Sequence, residues 1–225
     1  MEQYQNVVPP TTVPSEPRRL DTLVASVASP APLGLSLLAF LTAMIGCFFT
    51  GFIIPFEGTG VRTGLAAMLL VGGIIMVLAG MWEYRKNYMV TATIFTSYGG
   101  FLAALGLTFM PNLGILSALS SGGSMHYVMG LFFLCWTIFT GILVLGALRT
   151  NASLGITMIV LFAAYLLLTI GQLAGNNTIL LNVGGWIAIA CAIIAWIAAA
   201  ASIVSTSSVQ GAFRIPFGRR LAVVE

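Results

Sequence analysis

Residues 154–173 have the sequence LGITMIVLFAAYLLLTIGQL, a run without one charged side chain. A helix needs about 20 mostly apolar residues to cross the hydrocarbon core of a bilayer, so this run predicts a transmembrane helix. Runs of similar length and composition occur at 33–54, 63–82, 89–110, 127–148 and 179–204. The sequence therefore predicts an all-α, polytopic membrane protein with six transmembrane helices. A further apolar stretch, 113–119, is too short to span and is interpreted as a re-entrant or surface turn.

The composition of the whole chain supports a membrane protein. Of its 225 residues, 59% are hydrophobic and only 7% are charged, whereas a typical soluble domain has about 25% charged residues. An ordinary soluble globule is thereby excluded, and so is a disordered chain, which is poor in large apolar residues. The net charge of +3 forms no basic patch interleaved with aromatic residues, so no nucleic-acid partner is expected.

The predicted spans divide the chain into three parts. These are a disordered, proline-rich tail at 1–28, a six-helix membrane domain at 29–204 and a basic tail at 205–225. If both tails are cytoplasmic, Arg62 is the one basic residue on the opposite side, which is a strong positive-inside bias. The cytoplasmic side then holds Arg18, Arg19, Arg85, Lys86, Arg149, Arg214, Arg219 and Arg220. We therefore expect an integral, multi-pass protein of the plasma (inner) membrane with both termini in the cytoplasm.

No pattern in the sequence is typical of an enzyme or a metalloprotein. The single histidine, His126, comes with no Ser-His-Asp set, HExxH motif or glycine-rich phosphate loop. Cys47, Cys135 and Cys191 each lie in an apolar run, where they are interpreted as small core residues rather than disulfide partners or zinc ligands. We therefore expect no catalytic residues, no metal site and no cofactor.

The spans contain few polar residues that suggest a function. Glu83, at the cytoplasmic end of the second span, is interpreted either as half of an ion pair with Arg85 or Lys86 or as a proton-sensitive carboxylate at a pore mouth. Further candidates for a polar pathway lie on the third span and at the end of the fifth: Thr96, Ser97, Tyr98, Gln172 and Asn176. Ser and Thr also bond to the carbonyl of the preceding turn, and amides also cap helices, so both interpretations stay open.

Small residues recur at spacings of four in the sixth span, at Gly184, Ala188 and Ala192. Such a face lets two helices approach closely in a bilayer. It is interpreted either as packing within one chain or as a subunit interface in a homo-oligomer, and the sequence does not separate the two.

The first span begins with a motif in which prolines precede and enter the helix. Its residues are Ser29, Pro30, Ala31, Pro32, Leu33, Gly34 and Leu35. The two prolines forbid regular helix before Leu33 and fix an extended entry. The N–H groups that follow carry the positive end of the helix dipole, which attracts a carboxylate.

This motif resembles the Asn-Pro-Ala-Pro-Leu-Gly-Leu signature of the acetate uptake transporter family. The runs AGMWEY at 79–84, FTSYG at 95–99, GQLAGN at 171–176 and GGW at 184–186 are also similar to family motifs and occur in family order. The resemblance implies a cyclic homo-hexamer of six-helix protomers with a pathway in each protomer. It implies import of acetate and, in some members, of succinate or other short carboxylates. Ser29 in place of Asn, and Met76 in place of Gln, depart from the family pattern.

The resemblance further implies an apolar constriction in mid-membrane, at Leu38, Tyr98 and Leu161, with Leu38 replacing an aromatic residue. A carboxylic acid with a pKa of ~4.3 is roughly one part in 500 neutral at pH 7. An apolar constriction favours this neutral form, because the ion is expensive to desolvate. Each neutral acid that crosses carries one proton, so we expect proton-linked uptake without a proton-carrying side chain. The expected partners are a small carboxylate, protons and the lipid bilayer.

Two other interpretations stay open. An apolar pore without ionisable groups also suits a small neutral solute such as urea or ammonia. The small-residue faces also suit a membrane scaffold that transports nothing.

Overall fold

The computed structural model describes residues 28–52, 59–121 and 125–206. The helices in these ranges are α1 (Ala31–Thr50), α2 (Thr59–Arg85), α3 (Met89–Phe109), α4 (Ile115–Ser121), α5 (Met125–Leu148), α6 (Ala152–Leu173) and α7 (Thr178–Thr206). All of them except α4 are long and apolar enough to cross a membrane, so the prediction of six spanning helices is confirmed. The predicted tails, 1–28 and 205–225, lie almost wholly outside the described residues.

The helix ends differ from the predicted span boundaries where hydropathy is a poor guide to backbone structure. α2 continues to Arg85, beyond the predicted end at residue 82, because a helix keeps its backbone bonds where its side chains become charged at the membrane boundary. The predicted extended entry before Leu33 is wrong: α1 begins at Ala31, and Pro30 has helical dihedral angles, φ −80° and ψ −3°. Prolines are accommodated there because the first turn of a helix has no backbone N–H bond to lose. α1 ends at Thr50, before the predicted end at residue 54. The next residue, Gly51, has a φ of 64°, the left-handed conformation with which glycine terminates helices.

The short apolar stretch after α3 lies on the surface. A 3₁₀ turn, Pro111–Leu113, leads into α4, in which no residue is buried. The stretch therefore connects α3 to α5 and is too short to span, as its length predicts.

The six long helices pack side by side in a ring. Going round it, the order is α3, α2, α1, α7, α6 and α5, and sparser contacts between α5 and α3 close the circuit. The buried side chains of the core face the middle of this arrangement. Leu131, Ile138, Ile142 and Leu145 of α5 are among the large apolar side chains exposed on the outside, as expected of a surface that meets lipid or another subunit.

Glycines set the direction and spacing of neighbouring helices. A Cβ on Gly73 of α2 would lie 2.5 Å from the carbonyl oxygen of Gly99 on α3, and one on Gly106 would lie 2.7 Å from the carbonyl oxygen of Ala66. Residue numbers thus rise along α3 as they fall along α2, so the two helices are antiparallel with touching backbones. A side chain at these glycines would force the two helices apart.

The remaining neighbours are antiparallel by the same criterion. Gly46 of α1 meets Gly185 of α7, Gly171 of α6 meets Leu181 of α7, and Gly130 of α5 meets Leu173 of α6. Because Leu41 of α1 packs on Gly72 of α2 and the start of α1 contacts the end of α2, that pair is antiparallel too. It follows that α1, α3 and α6 run in one direction and α2, α5 and α7 in the other.

The small-residue face of α7 packs within the chain. A Cβ on Gly184 would meet Leu168 of α6 at 3.0 Å, and Ala192 and Ala195 pack with Ala39 of α1. These contacts account for the spacing of small residues without a second subunit.

Candidate functional site

The three residues of the predicted constriction lie in the interior of the ring. Leu38 on α1, Tyr98 on α3 and Leu161 on α6 are at most 1% exposed, and all three belong to one cluster of packed, buried residues. Their helices are the three that run in the same direction. Their role as a constriction remains a prediction.

Leu38 and Leu161 lie at a similar depth in the bundle. Ala39 of α1 packs against the part of α7 that adjoins Cys191. The Cys191 thiol donates to the carbonyl oxygen of Thr157 at 3.4 Å, and Thr157 precedes Leu161 by one turn of α6. The two leucines are therefore about one helical turn apart in depth, although α1 and α6 are not neighbours in the ring.

Tyr98 lies at the same depth, as the packing of α2 shows. A Cβ on Gly72 would meet the side chain of Leu41, which is one turn from the constriction leucine of α1. A Cβ on the adjacent Gly73 would meet the carbonyl oxygen of Gly99, the residue after Tyr98. Side chains from three parallel helices thus converge at one level of the core.

The Tyr98 hydroxyl is held by α5. Its oxygen lies 2.6 Å from Oγ1 of Thr140, and the Thr140 hydroxyl donates in turn to the carbonyl oxygen of Trp136 at 2.6 Å. Because Thr140 has a single hydroxyl proton, Tyr98 is the donor in the bond between them. The bond satisfies the polar end of Tyr98 and leaves its ring in the apolar core.

Aromatic rings fill the space between α3, α5 and α6 at this level. The ring centroid of Phe101 lies 4.5 Å from that of Trp136 and 5.5 Å from that of Tyr165. The Tyr98 centroid lies 6.2 Å from that of Tyr165, and Phe133 packs 5.9 Å from Tyr165. The middle of the protein is therefore a closely packed aromatic layer, which opposes the passage of ions.

The entry motif and Glu83 meet at one end of the bundle. The Ser29 hydroxyl donates to Oε1 of Glu83 at 3.4 Å, and the backbone N–H of Ala31, at the start of α1, lies close to the same carboxylate. Glu83 is only 1% exposed. A carboxylate of the chain itself therefore occupies the N-terminal end of α1, where a dipole favours negative charge.

The two cations beside Glu83 lie against aromatic rings. The Arg85 guanidinium carbon is 5.3 Å from the ring centroid of Trp82, and Lys86 Nζ is 5.7 Å from that of Tyr88. Such contacts stabilise a cation at a membrane boundary.

The hydroxyl-rich run of α3 is divided between different environments. Ser97 donates to the carbonyl oxygen of Thr93 at 2.6 Å, so its hydroxyl is satisfied within the helix. Oγ1 of Thr96 is buried without a hydrogen-bond partner among the described residues, and it is the atom that a Cβ on Gly80 would strike first. Thr96 therefore faces the α2 backbone, whereas Tyr98, two positions later, faces the core.

Gln172 and Asn176 lie at the opposite end of the bundle from Ser29 and Glu83, because α1 and α6 run in the same direction. Gln172 is 7% exposed, and its backbone carbonyl oxygen accepts a bond from the N–H of Asn176 at 3.2 Å. Asn176 is exposed with a φ of 62°, and the side chain of Asn177 caps α7 by accepting from Ile179 at 3.1 Å. The structure thus places Ser29 and Glu83 at one end and Gln172 and Asn176 at the other, whereas Thr96 and Ser97 lie beside the constriction residue Tyr98 in between.

Sequence reasoning did not single out Thr140 or Tyr165. Tyr165 follows Leu161 by four residues, and residues four apart share a face of a helix. Its position in the core could therefore have been predicted from the position of Leu161. Thr140 is 42 residues from Tyr98, and no spacing in the sequence indicates that contact. Within the described residues, no three His, Cys, Asp or Glu side chains gather into a metal-binding group.

Comparison with known proteins identifies relatives of this chain. Acetate permease A of Emericella nidulans is 34% identical over 191 residues, which are 80% of this chain and 63% of that protein. The succinate-acetate/proton symporter SatP of Escherichia coli is 32% identical over 166 residues, 73% of this chain and 82% of that protein. Ammonia transport outward protein 2 of Saccharomyces cerevisiae is 31% identical over 184 residues, 80% of this chain and 63% of that protein. The chain thus covers less than two thirds of these two fungal relatives.

A solved structure and a family model agree with these relatives. The structure of the bacterial acetate channel SatP superposes with a TM-score of 0.72 at 29% sequence identity, covering 84% of this chain and 99% of that chain. The model of the GPR1/FUN34/yaaH family matches residues 14–217. The chain therefore belongs to the GPR1/FUN34/yaaH family of membrane transporters and channels, as its resemblance to acetate uptake transporters predicts.

Proposed function

We propose that the protein is a channel or transporter for acetate and related short carboxylates, including succinate, and that uptake is linked to protons. The observation that carries this proposal is the order of chemistry along the bundle. A level of buried apolar side chains, with Leu38, Tyr98 and Leu161, separates polar groups at the two ends. The likeness to the bacterial acetate channel SatP supports the same assignment.

The apolar level selects the neutral acid. A carboxylate would lose its hydration there without gaining a charged partner, at a cost of many kcal/mol. The neutral acid is a small fraction of acetate at pH 7, but it exchanges rapidly with the anion at either end. One proton then accompanies each acid molecule, although no side chain relays it.

The ends of the bundle have separate tasks in this proposal. The α1 N-terminus, where Ser29 and Ala31 already bond to the Glu83 carboxylate, lies at the mouth on the cytoplasmic side. Glu83 acts there as a positioning residue, because its buried carboxylate holds the entry motif against α2. Gln172 and Asn176 mark the external mouth, where an amide group can donate to an anion and can both donate to and accept from a neutral acid.

The protein is proposed to act as a homo-hexamer in the plasma membrane, with its termini in the cytoplasm and one pathway in each protomer. The exposed apolar side chains of α5 support a surface that meets lipid or a second subunit. The excess of basic residues on one side of the predicted spans supports the orientation.

Ammonia is the second candidate solute. Its support is the 31% identity to ammonia transport outward protein 2, together with an apolar core that suits a small neutral molecule. Ammonia differs from acetic acid in the sign of the pH effect, because its neutral form increases as the pH rises.

Uptake of radiolabelled acetate into proteoliposomes tests the proposal. We expect protein-dependent uptake that an inward proton gradient stimulates and that succinate inhibits. A pH-sensitive dye inside the same vesicles reports ammonia entry. Absence of protein-dependent acetate uptake, with rapid ammonia flux, would replace the carboxylate proposal by the ammonia one.

A further inference from the structure

The hydroxyl of Tyr165 is buried without a hydrogen-bond partner among the residues that the structure describes. The side chain is only 1% exposed. Buried hydroxyl groups without a partner are uncommon, because they lose their bonds to water and gain nothing in return. The Tyr165 hydroxyl therefore requires an explanation.

Tyr165 lies at the level of the proposed constriction. It follows Leu161 by one turn of α6, and its ring centroid is 6.2 Å from that of Tyr98. Thr42, one turn after Leu38 on α1, also has a buried Oγ1 without a partner among the described residues. Since α1 and α6 run in the same direction, both unpartnered hydroxyls lie one turn beyond a constriction leucine on the same side of it.

Two proton donors near Tyr165, the Tyr98 hydroxyl and the Cys191 thiol, already donate to other groups. The Tyr98 hydroxyl donates to Thr140. The Cys191 thiol, which lies close enough to Tyr165 to interact with it electrostatically, donates to the carbonyl oxygen of Thr157. Neither group is therefore available as a donor to Tyr165. Its hydroxyl has both its proton and its lone pairs free for a molecule that enters the core.

A neutral carboxylic acid matches this hydroxyl. Its carbonyl oxygen accepts the phenolic proton, and its own O–H remains free to donate to a second oxygen as the acid moves along the pathway, where the Thr42 hydroxyl is the other unpartnered group on this side of the constriction. We propose that the Tyr165 hydroxyl is a hydrogen-bonding site for the carboxyl group of an acid crossing the constriction, an inference that rests on the proposed function. Tyr165 then lowers the free-energy barrier to crossing at the middle of the pathway, where the acid makes no hydrogen bonds to water.

Tyr165→Phe tests this site, because it removes the hydroxyl and keeps the ring. Acetate uptake by purified protein in liposomes should fall about fivefold, which corresponds to one net hydrogen bond. The thermal unfolding temperature in detergent should be unchanged or higher, because an unpaired buried group is removed. Thr42→Val, which keeps the shape of its side chain, should lower uptake in the same direction.

The control is Tyr127→Phe, which makes the same chemical change on the exposed outside of α5, and it should leave uptake unchanged. Uptake by Tyr165→Phe at the wild-type rate would overturn the inference while the proposed function stands. A lower unfolding temperature together with lower uptake would also overturn it, because the hydroxyl would then stabilise the fold. If the wild-type protein itself moves no acetate, the proposed function fails first.

Discussion

The Ser29 hydroxyl donates a hydrogen bond of 3.4 Å to the Glu83 carboxylate and so joins the first residues of the membrane domain to the end of α2. The two residues are 54 positions apart. Glu83 is almost fully buried, so the bond supplies a donor to a group that has left water. Ser29 stands where the family signature has Asn, and both side chains are hydrogen-bond donors.

Removal of the Ser29 hydroxyl should weaken this junction. Ser29→Ala leaves the Glu83 carboxylate with one donor fewer, so the free energy of unfolding should fall by about 1 kcal/mol. Ser29→Asn, which restores the family residue, should retain the stability of the wild-type protein. Thermal unfolding in detergent measures both. Equal unfolding temperatures for Ser29→Ala and wild type would mean that the bond contributes nothing.

Acetate uptake should fall as the external pH rises. Between pH 5 and pH 8 the neutral fraction of an acid with a pKa of ~4.3 decreases about a thousandfold. Because the proposed constriction passes the neutral acid, the initial uptake rate at fixed total acetate should follow that fraction until another step limits it. Initial rates in proteoliposomes at several external pH values give the answer. A rate that stays flat across this range would show that the anion itself crosses.

Tyr98→Ala should widen the constriction and broaden the range of solutes. Loss of the ring removes the contacts with Phe101 and Tyr165 and the bond to Thr140, at an expected cost of about 3–5 kcal/mol in stability. Uptake of a size series from acetate to succinate and longer acids, normalised to protein in the membrane, measures selectivity. An unaltered order of preference would remove Tyr98 from the pathway.

Gly73→Ala should disrupt the α2–α3 pair. The added Cβ would lie 2.5 Å from the carbonyl oxygen of Gly99, so the two helices would have to separate, with losses in stability and in yield. Gly100→Ala is the matched control, because a Cβ there meets nothing within 4 Å. That variant should gain up to about 1 kcal/mol from helix propensity. Thermal unfolding of the two purified variants compares them directly, and equal behaviour would contradict the close backbone contact.

Apolar runs were enough to predict the spanning helices, because a bilayer requires long segments whose backbone groups bond to one another. They did not predict that α2 extends to Arg85. Charged residues at the membrane boundary end the apolar run, but the helix continues through them. The environments of Thr96 and Tyr98 could have been separated from the sequence. A separation of two positions corresponds to a rotation of about 200° around a helix, so the two side chains point to nearly opposite sides of α3.

The long-range contacts of the site could not be predicted in this way. Nothing in the sequence indicates that Ser29 meets Glu83 or that Tyr98 meets Thr140, because each pair depends on which helices are neighbours in the ring. The lack of a partner for the Tyr165 hydroxyl is even harder to predict from the sequence, because it depends on the hydrogen bonds that the surrounding groups make.

The ring of helices is not equally tight all the way round. Between α2 and α3 glycine backbones touch, and such a contact leaves no room for adjustment. Between α3 and α5 the helices are held apart by the rings of Phe101 and Trp136 and joined by the bond from Tyr98 to Thr140. A contact made by side chains can rearrange by rotation about side-chain bonds, whereas a contact between two backbones changes only when a whole helix moves. We therefore expect this seam to be the compliant wall of the pathway, which yields to a passing molecule by ring rotation while the helices stay in place.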